Sequence, residues 1–227
     1  KDKGISRFIS THPDDDHIKG LRDFCDVVGI SNFYCVENSA TKNFETDDFI
    51  KYCELRDGDK HFYLSKGCSR KWMNEDDDVR SSSGINCLWP ILTNQYYKDA
   101  LIEANVGNSP NNISPIITYA IKNGCQAIWM GDIENSFLEN VKNKIDFNEY
   151  DILFAPHHGR DSAKLPSDVL EKISPSIIVI GEAPSTNLNY YAGYNTITQN
   201  SAGDITFDCI DNKVHIYVSN SKYSVNF

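Results

Sequence analysis

Six consecutive positions, His12-Pro13-Asp14-Asp15-Asp16-His17, hold two histidines and three aspartates. A segment this dense in ionisable groups cannot be plain core, because an unpartnered buried charge costs more than a domain's net stability. A short apolar-containing run, residues 5–9, precedes it. A helix-like run, residues 18–28, follows and ends at Gly29. A strand that stops, a polar loop and a helix that starts would aim these side chains into one cavity. α/β proteins place their sites at such strand ends.

The same arrangement recurs twice. Residues 125–130 are apolar, end in Gly131-Asp132-Ile133-Glu134, and lead into a helical pattern over 134–144. Residues 150–155 read as a buried strand and run into Pro156-His157-His158-Gly159-Arg160-Asp161. A helix is expected over 165–173, with Pro166 near its start and Pro175 beyond its end. Residues 177–180 are a continuous apolar strand.

Elsewhere the pattern predicts strands over 32–36, 61–64 and 84–90 and a helix over 47–55, while 96–104 reads as a short helix or an ordered loop. Asn123-Gly124 between the apolar runs 113–122 and 125–130 predicts a hairpin. The tail reads as strands at 205–210, 213–218 and 223–225. The Asn- and Tyr-rich stretch 188–200 reads as a surface loop. Residues 65–83 read as a loop or insertion whose acidic run, Glu75 to Asp78, is a solvated face; Arg70, Lys71 and Trp72 form a local basic-aromatic cluster. Strands, then alternating strand and helix, then strands again predict an α/β chain of two sheets with outer helices, one domain over 1–227.

Composition narrows the function classes. A net charge of -10 argues against nucleic-acid binding by bulk electrostatics, but bound divalent ions would invert the local field. The seven cysteines are scattered with no CxxC, which reads as reduced thiols in a cytoplasmic protein. No apolar run approaches ~18 residues, so no membrane span is expected.

The three polar strand ends together resemble the metallo-β-lactamase fold superfamily. The first stretch matches its HxHxDH signature with Asp14 in place of the second histidine. That HxDxDH variant, followed by Ile18-Lys19-Gly20-Leu21, resembles the hydrolase domain of ComEC-type competence proteins and their stand-alone relatives. Leu88-Trp89-Pro90, Asn111-Asn112-Ile113-Ser114, Gly131-Asp132-Ile133-Glu134 and His157-His158-Gly159 follow in the family's order.

The resemblance implies an αββα sandwich and a site for two divalent ions, Zn²⁺ or Mn²⁺. Its metal ligands would be His12, Asp14, Asp16, His17, Asp132 and His157, with Asp132 bridging; His157 and His158 could exchange roles. Asp16 and His158 would be catalytic, and Asn112, Ser114 and Arg160 would contact substrate. The implied activity is a phosphodiesterase or nuclease using metal-bound hydroxide on a nucleic acid or nucleotide. Two other readings stay open. One is a hydrolase of thioesters, lactones or amides on the same site. The other is a partner-dependent or inactive subunit of a bacterial defence-type complex, assembled with an ATPase-type neighbour or as a homo-oligomer. The family's N-terminal strands are expected ahead of His12, so they would lie outside this sequence or come from elsewhere.

Overall fold

In the computed structural model, which describes residues 7–71 and 73–224, the chain divides into two units, each built from two segments. The first comprises Lys1–Lys66 and Trp89–Pro115, the second Gly67–Leu88 and Ile116–Phe227. Both mix helices and strands, so the α/β class stands. The described strands form three sheets rather than two.

The first unit is organised on a parallel sheet of β1 (Phe8–Ile9), β2 (Phe33–Cys35) and β3 (His61–Tyr63), in that order. Its helices are α1 (Asp15–Ile18), α2 (Leu21–Val27), α3 (Asp47–Arg56) and α4 (Gln95–Asn105). Ile18, Leu21, Phe33, Cys35, Phe49 and Tyr52 form one apolar cluster, with Phe8 and Cys25 against it. Parallel strands end on the same side, so the residues after β1 and β2 emerge at one edge.

The helix expected over 18–28 is broken in two. Gly20 sits in the left-handed region at φ 84, which ends α1 and restarts the chain as α2. The restart is held by Asp48 of α3, whose two carboxylate oxygens accept from Gly20 N–H (2.8 Å) and Arg22 N–H (2.9 Å). These two donations hold the Asp48 carboxyl below the usual carboxylate range, Arg22 contributing most.

The second unit carries a six-stranded sheet in the order β4 (Ile85–Trp89, its last residue counted with the first unit), β5 (Ile116–Ala120), β6 (Gln126–Trp129), β7 (Ile152–Phe154), β8 (Ile177–Ile180) and β9 (Thr196–Thr198). β5 and β6 pair antiparallel through the Asn123-Gly124 turn, and β6 to β9 run parallel. The helices are α5 (Asn135–Val141), α6 (Ser167–Ile173) and α7 (Gln199–Ala202). All four residues of β8 are buried, as a parallel strand covered on both faces requires. On one face Cys125, Ala127, Ile152, Ile177, Val179 and Ile197 pack against Phe207, Cys209, Val214 and Ile216. Those four come from a separate antiparallel hairpin, β10 (Ile205–Ile210) and β11 (Lys213–Val218), turned at Asp211-Asn212 with both residues at positive φ.

Three expectations need correction. The stretch 188–200 is not a surface loop: it holds most of a 3-10 helix, Ser185–Tyr191, and the strand β9, whose Ile197 is fully buried. Short polar runs hide edge strands because only alternate residues need be apolar. The strand expected over 113–122 starts only at Ile116, after a 3-10 turn over Asn111–Ile113. Tyr223 and Ser224 are not in a strand, and residue 225 lies outside the described residues, as does Trp72. Residues 67–83 hold no helix, and no strand beyond one Lys71–Glu75 bridge, among the described residues. Among the described residues, no helix is long and apolar enough to cross a membrane.

Candidate functional site

In the first unit, β1 ends at Ile9 and the chain is held to β2 once more, Ser10 N–H donating to Tyr34 C=O at 2.8 Å. His12 follows and is completely buried. Asp14 is extended and caps α1 through its carbonyl, which accepts from His17 and Ile18 N–H at 2.9 and 3.1 Å. One turn of helix therefore brings His17 back over His12, their ring centroids 4.1 Å apart. Hydroxyl groups meet the Nδ1 side of both rings. Ser114 Oγ lies 3.1 Å and Thr11 Oγ1 3.2 Å from His12 Nδ1, and Thr11 Oγ1 lies 3.3 Å from His17 Nδ1. On the other side, His12 Nε2 lies 3.8 Å from Asp14 Oδ2.

The second carboxylate oxygen of Asp14 contacts Lys42 Nζ. Lys42 stands on a loop that is pinned from two directions. Thr41 N–H donates to Ala104 C=O at 3.1 Å, and Thr41 Oγ1 donates to Asn105 C=O at 3.0 Å. Below it, buried Asn38 donates to Val36 C=O (2.8 Å) and to Tyr52 Oη (2.9 Å). Of the other expected residues here, Asp16 is exposed, Asn112 partly buried, and Ser114 completely buried against His12.

In the second unit the parallel strands β6, β7 and β8 end side by side, which groups Asp132, His157-His158 and Gly181 at one edge. Asp132 is 2% exposed. Its Oδ2 lies 3.6 Å from His157 Nε2 and 3.9 Å from His158 Nε2. His157 and His158 both adopt left-handed backbone, φ 49 and 58. Such a conformation costs a non-glycine residue ~1–3 kcal/mol and persists only where the surroundings enforce it. The enforcing contacts are visible. His157 N–H donates to Gly131 C=O at 3.0 Å, and Arg160 N–H to His157 C=O at 2.9 Å. Gly159 follows at φ 87, where an added Cβ would meet Ile180 Cγ2 at 2.9 Å.

Ser162 Oγ lies 2.8 Å from His157 Nδ1, the counterpart of Ser114 on His12. Ser162 also lines an open cavity of about 480 Å³ with Glu134, Asn135, Ser136, Asp161 and Lys164. Lys164 Nζ lies 5.0 Å from the centroid of the Tyr190 ring.

Within each unit, the expected donors are brought together: His12, Asp14 and His17 in the first, Asp132, His157 and His158 in the second. Thr11, Lys42, Ser162 and Gly181 were not singled out from the sequence. Thr11 adjoins the motif and could have been; a lone lysine, serine or glycine in a loop carries no pattern. No protein-family model matches the chain, and no curated protein matches it.

Proposed function

We propose that the chain is a metal-dependent hydrolase of phosphodiester bonds, a nuclease or nucleotide phosphodiesterase of the αββα metallo-β-lactamase type acting in the cytoplasm. One observation carries the reading: a buried oxygen of Asp132 faces the Nε2 of His157 at 3.6 Å, with the Nε2 of His158 at 3.9 Å as the donor that could exchange roles with it. These separations exceed hydrogen-bond range. They approach the ~3.3 Å kept by two donors that each sit ~2.0–2.1 Å from one tetrahedral ion. His12 Nε2 and Asp14 Oδ2, 3.8 Å apart, meet the same test. Mixed imidazole and carboxylate donors suit Zn²⁺ or Mn²⁺. The reading assigns His12, Asp14, Asp16, His17, Asp132 and His157 to two such ions; the order of the motifs in the sequence is what joins the two groups.

When bound, the ions would supply Lewis-acid stabilisation of charge developing on phosphorus-bound oxygens. The chain's own residues prepare them. A histidine that offers Nε2 to a metal carries its proton on Nδ1 and donates it to a neighbouring acceptor. Thr11, Ser114 and Ser162 are those acceptors. Ser114 is therefore assigned to holding His12 rather than to substrate. His158, partly exposed and packed on Gly181, is assigned to hand a proton to the leaving oxygen. Arg160 and Lys164 are the cations next along the chain that can meet a phosphate.

Metal analysis of the purified protein, with assays on single-stranded DNA, RNA and cyclic dinucleotides, tests the reading. Two divalent ions per chain and metal-dependent cleavage of at least one substrate are expected. Asp132→Ala is expected to fold, lose one or both ions and lose cleavage. Turnover of a carbonyl ester without phosphodiester cleavage would overturn the substrate class, and a protein that binds no divalent ion would overturn the whole reading.

A further inference from the structure

Cys125 and Cys209 are 84 residues apart in sequence, yet their sulfur atoms lie 3.0 Å from one another. Both are free thiols. Cys125 opens the approach to β6 and is 3% exposed; Cys209 lies in β10 and is partly exposed. Their meeting is built into two neighbouring turns. Asn212 N–H, from the hairpin's turn, donates to Asn123 C=O at 2.9 Å, from the turn between β5 and β6. An added Cβ at Gly124 would come within 2.9 Å of the Cys209 carbonyl oxygen, so the two backbones are in close approach there. Backbone contacts on both sides thus hold the sulfurs together, rather than a chance choice of rotamer.

We propose that Cys125 and Cys209 form a closable dithiol, a modification site at which a low-molecular-weight disulfide converts the two thiols into one bond between the hairpin and the six-stranded sheet. Closure needs the sulfurs to move from 3.0 Å to a bond of ~2.05 Å. The partly exposed Cys209 reacts first. Its thiolate attacks one sulfur of oxidised glutathione, forming a mixed disulfide and expelling one glutathione thiolate. Cys125 then gives up its proton to water and its thiolate attacks the Cys209 sulfur; the bond to glutathione breaks, the second glutathione leaves as a thiolate, and the two expelled thiolates take up the two protons released by the protein thiols. Two protein thiols are oxidised and one glutathione disulfide is reduced to two thiols. In the reduced pair, burial first and then the neighbouring Cys209 push the Cys125 thiol up to about 12; the burial remains once Cys209 carries glutathione, so Cys125 deprotonates less readily than a solvent-exposed thiol.

Closure has a structural consequence. Among the described residues the hairpin pairs in a ladder only with itself and meets the sheet through side chains such as Phe207, Val214 and Ile216. The bond would tie it covalently to β6, the strand that leads to Asp132, and would enclose His157 and His158 in the same loop. The inference does not depend on the proposed hydrolase activity.

Incubating the folded chain with oxidised glutathione, then mapping peptides without reduction, tests it. A Cys125–Cys209 linked peptide should be the main product, with a loss of two hydrogens in intact mass. Hydrogen exchange in 205–218 should slow in the oxidised form. Cys125→Ala should leave glutathione attached at Cys209, and Cys209→Ser should give no intramolecular bond at Cys125. A stable glutathione adduct on Cys209 in the unsubstituted chain, or linkage through other cysteines, would overturn the proposal.

Discussion

The ring of His158 rests on Gly181: a Cβ added to that glycine would lie 3.1 Å from His158 Cβ and 3.2 Å from its Nδ1. Gly181 follows directly on β8, so the sheet itself sets the height of the histidine. Gly181→Ala is expected to push His158 off Asp132 while leaving the buried residues of β8 in place. Stability should fall by at most ~1 kcal/mol, within the range of ordinary substitutions. Phosphodiester cleavage should fall by roughly tenfold to a hundredfold, the scale of a displaced acid-base group. Unchanged activity would remove His158 from the proposed role.

Ser162 and Ser114 offer a matched comparison, because each meets a histidine Nδ1 but only Ser114 is buried. Ser162→Ala should change the melting temperature little and weaken divalent-ion binding by roughly tenfold. Ser114→Ala should weaken ion binding similarly and also cost ~1 kcal/mol or more, since it leaves a buried ring nitrogen with less hydrogen bonding. Isothermal titration with Zn²⁺ or Mn²⁺, alongside thermal unfolding, reads both. Equal loss of stability in the two variants would argue against this division.

Lys42 places an ammonium on one oxygen of Asp14, the oxygen not turned toward His12. An ion drawn to Asp14 shares the carboxylate with that positive charge. Lys42→Met is therefore expected to tighten the weaker of two ion-binding steps by about fivefold, ~1 kcal/mol. Lys42→Arg, which keeps the charge, should stay near the parent value. Titration of the metal-free protein checks this, and weaker binding in Lys42→Met would mean that the lysine orients Asp14 rather than competing for it.

The Asp48 carboxylate that restarts the broken helix gives a pH prediction. Its folded-state pKa is lowered, so its stabilisation is fully present above the unfolded value of about 3.9 and is lost as pH falls through the lower folded value. Asp48→Asn retains one acceptor oxygen and loses the other. It should destabilise by about 1 kcal/mol at pH 6–7, the scale of a lost helix cap. The difference from the parent should shrink as pH drops below about 4. Chemical denaturation at pH 7, 5 and 3.5 measures it, and a pH-independent difference would mean that the charge of Asp48 contributes nothing.

Much of the local structure was legible because it depends on short-range pattern. Continuous Ile and Val runs such as 177–180, bounded by Pro175 and Gly181, read as buried strands, and Asn123-Gly124 and Asp211-Asn212 carry the turn chemistry of their hairpins. The residues proposed as metal donors stood out for the same reason: His12, Asp14, Asp132 and His157 sit where apolar runs stop. The break at Gly20 was less visible, because it takes a carboxylate from α3, 28 residues further on, to hold the new helix start.

What the sequence by itself determined was an alternation of strands and helices with polar strand ends, since periodicity and local turn chemistry need no distant partner. Tertiary structure alone decided which strands lie side by side, that Ser162 and Ser114 back the histidines, that Lys42 reaches Asp14, and that Cys125 meets Cys209. Those contacts join residues that no spacing rule relates, and they exist only once parallel pairing and side-chain packing have chosen a register.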